Sequence, residues 1–135
     1  MENQLTPQGA ALLRQARDQI LAHPDQFDMR NWDCGTTACV GGWMCRIAGI
    51  AGEYQDRALS VCCGFGVEQI RASGLMVQAH PMYPLFYRWP VGTTRSALAA
   101  AGRINAFLWS YGYPPEAVIA PVEAEAALVT VEGRV

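Results

Sequence analysis

The segment Leu5-Thr6-Pro7-Gln8-Gly9-Ala10-Ala11-Leu12-Leu13-Arg14-Gln15-Ala16-Arg17-Asp18-Gln19-Ile20-Leu21-Ala22-His23-Pro24 reads as one helix with both ends marked. Thr6 is of the N-cap type, and Pro7 falls at the first helical position, where a missing N–H matters least. Leu5 precedes the cap and is placed to staple onto Ala10. Leu13, Ala16, Ile20 and Leu21 recur at helical spacing, which assigns Arg14, Arg17 and Asp18 to the opposite side. His23-Pro24 closes the segment, because a residue before proline resists α geometry.

Two further segments carry the same signature. A second helix is predicted from Thr37 to Ala48, capped by Thr36 or Thr37, with Val40, Trp43, Met44 and Ile47 facing inward and Gly49 and Gly52 ending it. Gly41-Gly42 lies inside it, where each glycine costs about 1 kcal/mol relative to alanine. That cost predicts a close approach by another helix or by a ligand. A last helix is predicted from Thr94, or Thr93, to Tyr111, with Leu98, Ala101, Ile104, Leu108 and Tyr111 on one stripe. Shorter pieces are expected at Tyr54–Cys63 and, as a helical turn, at Val67–Ser73. Prolines at 81, 84 and 90 restrict the stretch from Leu75 to Pro90 to a turn between Pro84 and Trp89. Phe27, Met29 and Trp32 lie in an aperiodic loop and should fold back on the core. Trp43 and Trp89 are expected inside that core.

There is no βαβ alternation and no repeat. The fold class is therefore all-α: a compact bundle of about four helices with long loops. Residues 127–131 leave room for a short C-terminal β element. Residues 1–115 are read as one helical domain and residues 116–135 as an acidic tail.

Composition bounds the function. Apolar residues make up 51% of the 135 and charged residues 16%, a globular balance. No run approaches the ~20 apolar residues of a membrane span, and the polar start lacks a secretory signal, so a cytoplasmic location is expected. The five cysteines, an odd number, argue against a disulfide framework. All ten basic residues are arginine. Residues 29–113 carry a net +3 between acidic ends of −2 and −3. That is too little positive charge for a dedicated nucleic-acid binder.

The residues with chemical potential centre on Asp33-Cys34-Gly35-Thr36-Thr37-Ala38-Cys39-Val40-Gly41-Gly42-Trp43. A longer pattern runs through Phe27, Asp28, Met29, Trp32, Cys34, Gly35, Thr36, Cys39, Gly42, Trp43, Leu85, Phe86, Trp89 and Pro90. In this the chain resembles a family of small bacterial and phage proteins, over about residues 25–110. The resemblance implies no activity and carries over no site residue. The chain departs from that family where Leu-Gly-Leu would stand, reading Cys62-Cys63-Gly64-Phe65-Gly66 instead.

Three chemical readings compete. Cys39, near the start of the second helix, would gain a lowered pKa from open N–H groups, with His80 as base and Asp33 or Asp28 as orienter for acyl transfer. The plain alternative is a small buried packing residue. Cys34 and Cys39 have a spacing that zinc can use, although adjacent Cys62 and Cys63 point apart on a helix, and no metal site is assigned. In the run Tyr83 to Trp89, Tyr83, Tyr87 and Arg88 are candidate binding residues, since Tyr, Trp and Arg dominate hot spots. The alternative places Leu85, Phe86 and Trp89 in the core and leaves only edges of Tyr83 and Tyr87 showing. With no strong catalytic motif and no cofactor implied, the expected role is a non-catalytic binding or regulatory accessory factor whose partner is another protein. A cysteine-dependent enzyme and a zinc-stabilised domain stand as alternatives.

Overall fold

Thr6 starts the first helix as its residue type demands. The computed structural model describes residues 4–90 and 92–114. In it the Thr6 hydroxyl accepts the Gly9 N–H at 3.1 Å and Pro7 opens helix α1, Pro7–Ala22. The chain continues through a 3-10 turn, Pro24–Gln26, to α2 (Val40–Ala48), α3 (Gln55–Cys62), the single-turn α4 (Tyr83–Phe86) and α5 (Ala97–Ser110). The described residues form no strand, only isolated bridges, and the architecture is all-helical. The tail 116–135, with its proposed β element, lies outside the described residues.

α1 is the central element, packed against α2 on one side and α5 on the other. Leu13, Ala16, Ile20 and Leu21 are buried as their spacing predicts. Arg17 and Asp18 are buried too, which corrects their assignment to the outer side. The reason is a polar bridge between helices. Arg17 Nε donates to Asp18 Oδ1 at 3.0 Å, and Nη1 donates to Asn105 Oδ1 on α5 at 2.9 Å. A buried guanidinium is tolerable only when partnered in this way. Gly9 permits the other close approach: a Cβ there would lie 2.8 Å from Cys63 Cα at the end of α3.

The remaining elements differ from expectation mainly at their ends. α2 begins at Val40 rather than Thr37, with Cys39 as its N-cap. α5 begins after Ser96, whose hydroxyl accepts the Ala99 N–H at 3.0 Å, so neither Thr93 nor Thr94 caps it. Leu98 is 77% exposed and does not belong to the inner stripe, which is Ala97, Ala100, Ala101, Ile104 and Leu108. Val67–Ser73 is not helical; a turn there ends in a bridge between Ile70 and Met76. Trp43 is buried, with its Nε1 donating to the Gln26 carbonyl at 3.2 Å. Trp89 is half-buried, against Phe27 and beneath the Arg103 guanidinium.

The loop from Phe27 to Ala38 does fold back on the core. Asp28 N–H donates to the Ala38 carbonyl and Ala38 N–H to the Gln26 carbonyl. Buried Asp28 accepts from both Nε and Nη2 of the Arg30 guanidinium, which hold its carboxyl down at about 2. Trp32 explains the two glycines of α2. Its ring lies where a Gly41 side chain would be, and its carbonyl oxygen where a Gly42 side chain would be. What passes close to the helix is therefore this loop, not another helix or a ligand.

Two glycine substitutions should separate these environments. Gly42→Ala drives a methyl into the Trp32 backbone and should destabilise by roughly 1–3 kcal/mol or more. Gly102, in the middle of α5, faces open space, so Gly102→Ala should stabilise by about 0.5–1 kcal/mol. Urea midpoints of the two variants check both signs.

Candidate functional site

Cys39 is built into the start of α2 as a cap. Its sulfur accepts the Gly42 N–H at 3.4 Å, and its thiol points at the Trp32 carbonyl oxygen 3.8 Å away. Cys39 is 2% exposed. The backbone N–H groups of Gly42 and Gly41 pull its pKa down, but burial outweighs them and the Asp56 carboxylate adds repulsion. The result is about 11, which corrects the expectation of an acidic thiol.

His80 and Asp33 have other partners. His80 Nδ1 accepts the Met82 N–H at 3.0 Å, so the ring proton sits on Nε2 and donates to the Ser60 hydroxyl at 2.8 Å. Ser60 in turn donates to the Gly66 carbonyl. The imidazole is a neutral strut between α3 and the loop before α4. Burial pushes its pKa down, partly opposed by Asp56. Asp33 receives both Nε and Nη2 of Arg46, at 2.9 and 2.8 Å, and the Gly35 N–H. No hydrogen bond joins Cys39, His80 and Asp33 to one another. Among the described residues, no group of three or more His, Cys, Asp or Glu is gathered as a metal site would require.

The polarised thiol is Cys34, for which the sequence suggests only a zinc-compatible spacing to Cys39. It is exposed, and its sulfur lies 3.4 Å from the Thr36 hydroxyl and 3.2 Å from that of Thr37. These hydroxyls, with the backbone N–H groups of the same turn, lower its pKa to about 6. The Gly-Thr-Thr sequence after Cys34 was the available signal. Thr36 and Thr37 are of the helix-cap type, but here their hydroxyls turn back to the preceding sulfur.

The aromatic run divides. Leu85 and Phe86 are buried; Tyr83 and Tyr87 are half-buried with ring centres 4.9 Å apart. Tyr87 is not a free anchor, because its hydroxyl donates to Asp56 Oδ2 at 2.7 Å. Burial and that carboxylate push its pKa up. Arg88 is exposed, in the left-handed region at φ 63°.

Tyr87 leads instead to a cleft of about 430 Å³ that no sequence motif marked. Trp32, Tyr54 and Tyr87 contribute rings, the turn at residues 73–75 forms one wall, and Asp56 lies at the buried end. Trp32 Nε1 donates to Gln55 Oε1, which ties the loop to the first turn of α3. Tyr54 caps α3 at φ 60°, ψ 40°, a conformation that bulky residues rarely adopt. Gly74 lacks the side chain that would collide with its ring. Tyr54 also lines a second, apolar hollow of about 570 Å³, between the end of α2 and α3, with Ile50, Ala58 and Val61.

Comparisons with protein-family models, curated proteins and solved structures find no match to this chain. The site must be read from its own chemistry.

Two outcomes check that reading. Iodoacetamide should modify Cys34 first, at a rate rising through a midpoint near pH 6. Cys34→Ser should abolish the fast phase, and peptide mapping that finds Cys39 modified equally fast in the native protein would contradict it. For His80 the lowered folded pKa means that the unfolded chain binds the proton more readily. Its contribution to stability is complete above the ordinary histidine value near 6.5 and is lost as pH falls from there toward the folded value. The urea midpoint should therefore drop between pH 7 and pH 5.5, and His80→Gln should flatten that slope.

Proposed function

We propose that this protein is a non-catalytic binding protein, an accessory or regulatory factor that acts through contacts with another protein. One observation carries the reading. Leu75, Tyr54 and Val61, at 48%, 51% and 57% exposure, are large apolar side chains that border two hollows sharing Tyr54. Exposed apolar groups scattered singly need no explanation, but a run of them along concave surface marks contact sites. Tyr54 strengthens the case. A tyrosine held in the left-handed region costs about 1–3 kcal/mol, and such strain concentrates at functional positions.

A second reading keeps cysteine chemistry but moves it from Cys39 to Cys34. Its support is the accessible, acidified sulfur. Two threonine hydroxyls stabilise a thiolate, but they do not shuttle a proton as an imidazole does. The binding role therefore fits the geometry better.

A photo-cross-linking amino acid at position 75 tests the proposal, with one at exposed Gln8 on α1 as the control. Irradiation in the host cell should give a discrete adduct from position 75 and none from position 8, and Tyr54→Ser should remove the adduct without lowering the thermal midpoint. Equal labelling from both positions, or no adduct from position 75, overturns the proposal.

A further inference from the structure

Asp56 is an unusual carboxylate for this molecule. It is 4% exposed, yet no arginine reaches it: Asp18, Asp28 and Asp33 each have an ion pair, and among the described residues Asp56 has none. Its Oδ2 accepts the Met76 N–H at 3.0 Å and the Tyr87 hydroxyl at 2.7 Å. Its Oδ1 accepts no hydrogen bond among the described residues. The charge is felt widely, since it opposes ionisation of Cys39, Cys45 and Tyr87. A buried anion normally acquires a counter-charge, because its desolvation is otherwise uncompensated.

The cleft beside Asp56 offers the space for that counter-charge. Among the described residues Asp56 is the one charged residue lining the 430 Å³ cleft, and the rings of Trp32, Tyr54 and Tyr87 line the same space. Aromatic faces attract cations through their quadrupole, most strongly where water is displaced. A planar guanidinium suits the cleft better than a compact ammonium. It stacks on rings, sheds water more easily and can still donate to a single carboxylate oxygen.

We infer that the cleft receives the guanidinium of an arginine side chain from a partner protein, stacked among Trp32, Tyr54 and Tyr87 and donating to the open oxygen of Asp56. This rests on the binding role proposed above and names the chemistry its partner must present. The charge and the apolar surface divide the work. The arginine fills the aromatic cleft, and apolar residues beside it in the partner cover Leu75 and the hollow by Val61.

The test uses the full chain and Nα-acetyl-arginine amide as the probe, read by the NMR shift of the Trp32 indole N–H. The shift should saturate. The citrulline counterpart, a neutral near-isostere, should bind about tenfold more weakly, since it loses the charge and keeps the shape. Asp56→Asn should erase this preference, because the amide oxygen can still accept from Met76 and Tyr87. Should that variant unfold, Leu75→Lys places a competing cation at the rim of an intact fold and should also weaken arginine. Equal binding of arginine and citrulline, or no saturable shift, overturns the inference. Tighter binding of tetramethylammonium than of arginine also overturns it, in favour of a free ammonium ligand. A partner that still cross-links at position 75 in Asp56→Asn overturns the arginine assignment alone and leaves the binding role standing.

Discussion

The structure depends on the contact between Trp32 and the paired glycines of α2. The indole occupies the volume that a side chain on Gly41 would need, and the Trp32 carbonyl occupies that of Gly42. That carbonyl accepts the Cys39 N–H at 3.3 Å, just before the helix begins. The ring meets Phe86 of α4 edge-on at 5.7 Å, and its N–H reaches Gln55 at the start of α3. One loop residue thus joins three helices. The glycines give up about 1 kcal/mol each of helix propensity, and the close packing they allow offsets it.

That packing also sets the two thiols of this segment apart. Cys34 and Cys39 are five positions apart and both face backbone N–H groups. Their pKa values nevertheless shift in opposite directions. The Cys39 sulfur lies under Trp32, where loss of water disfavours the thiolate more than hydrogen bonds favour it. The Cys34 sulfur keeps its water and gains hydroxyl donors. Proximity to a helix start therefore says little about a thiol until its burial is known.

Buried polar groups hold the helices in register. Arg17 links α1 to α5 through Asn105, while His80 links α3 to the segment before α4 through Ser60. The His80 ring has a partner at each nitrogen, and the Arg17 guanidinium is held at Nε and Nη1 but not at Nη2, consistent with structural roles. Asp56 is different, since hydrogen bonds hold one oxygen and no cation balances its charge among the described residues. It lies beside strained Tyr54 and below exposed Leu75. Local rules of folding are most often broken where a site has been built.

The sequence by itself determined that the fold is helical and where α1, α2 and α5 run. Capping residues and 3.6-residue periodicity are local, and at Thr6–Pro7 and Leu13–Leu21 nothing distant competes with them. It also showed that the glycines of α2 meet something, without saying what. Tertiary structure decided the rest. Leu98 fits the α5 stripe by spacing, but α5 turns Ala97 and Ala101 inward to approach α1 closely. Arg17 looks like a surface residue until Asn105, 88 positions away, is seen to accept its bond. The cleft joins Trp32, Asp56, Leu75 and Tyr87 from four separate segments, and a periodicity confined to one segment carries no trace of such a meeting. Burial, too, is a property of the assembled core. That is why the sequence could nominate Cys39 by its place near a helix start, and only the folded chain shows that Cys39 is buried while Cys34 is exposed with hydroxyls at its sulfur.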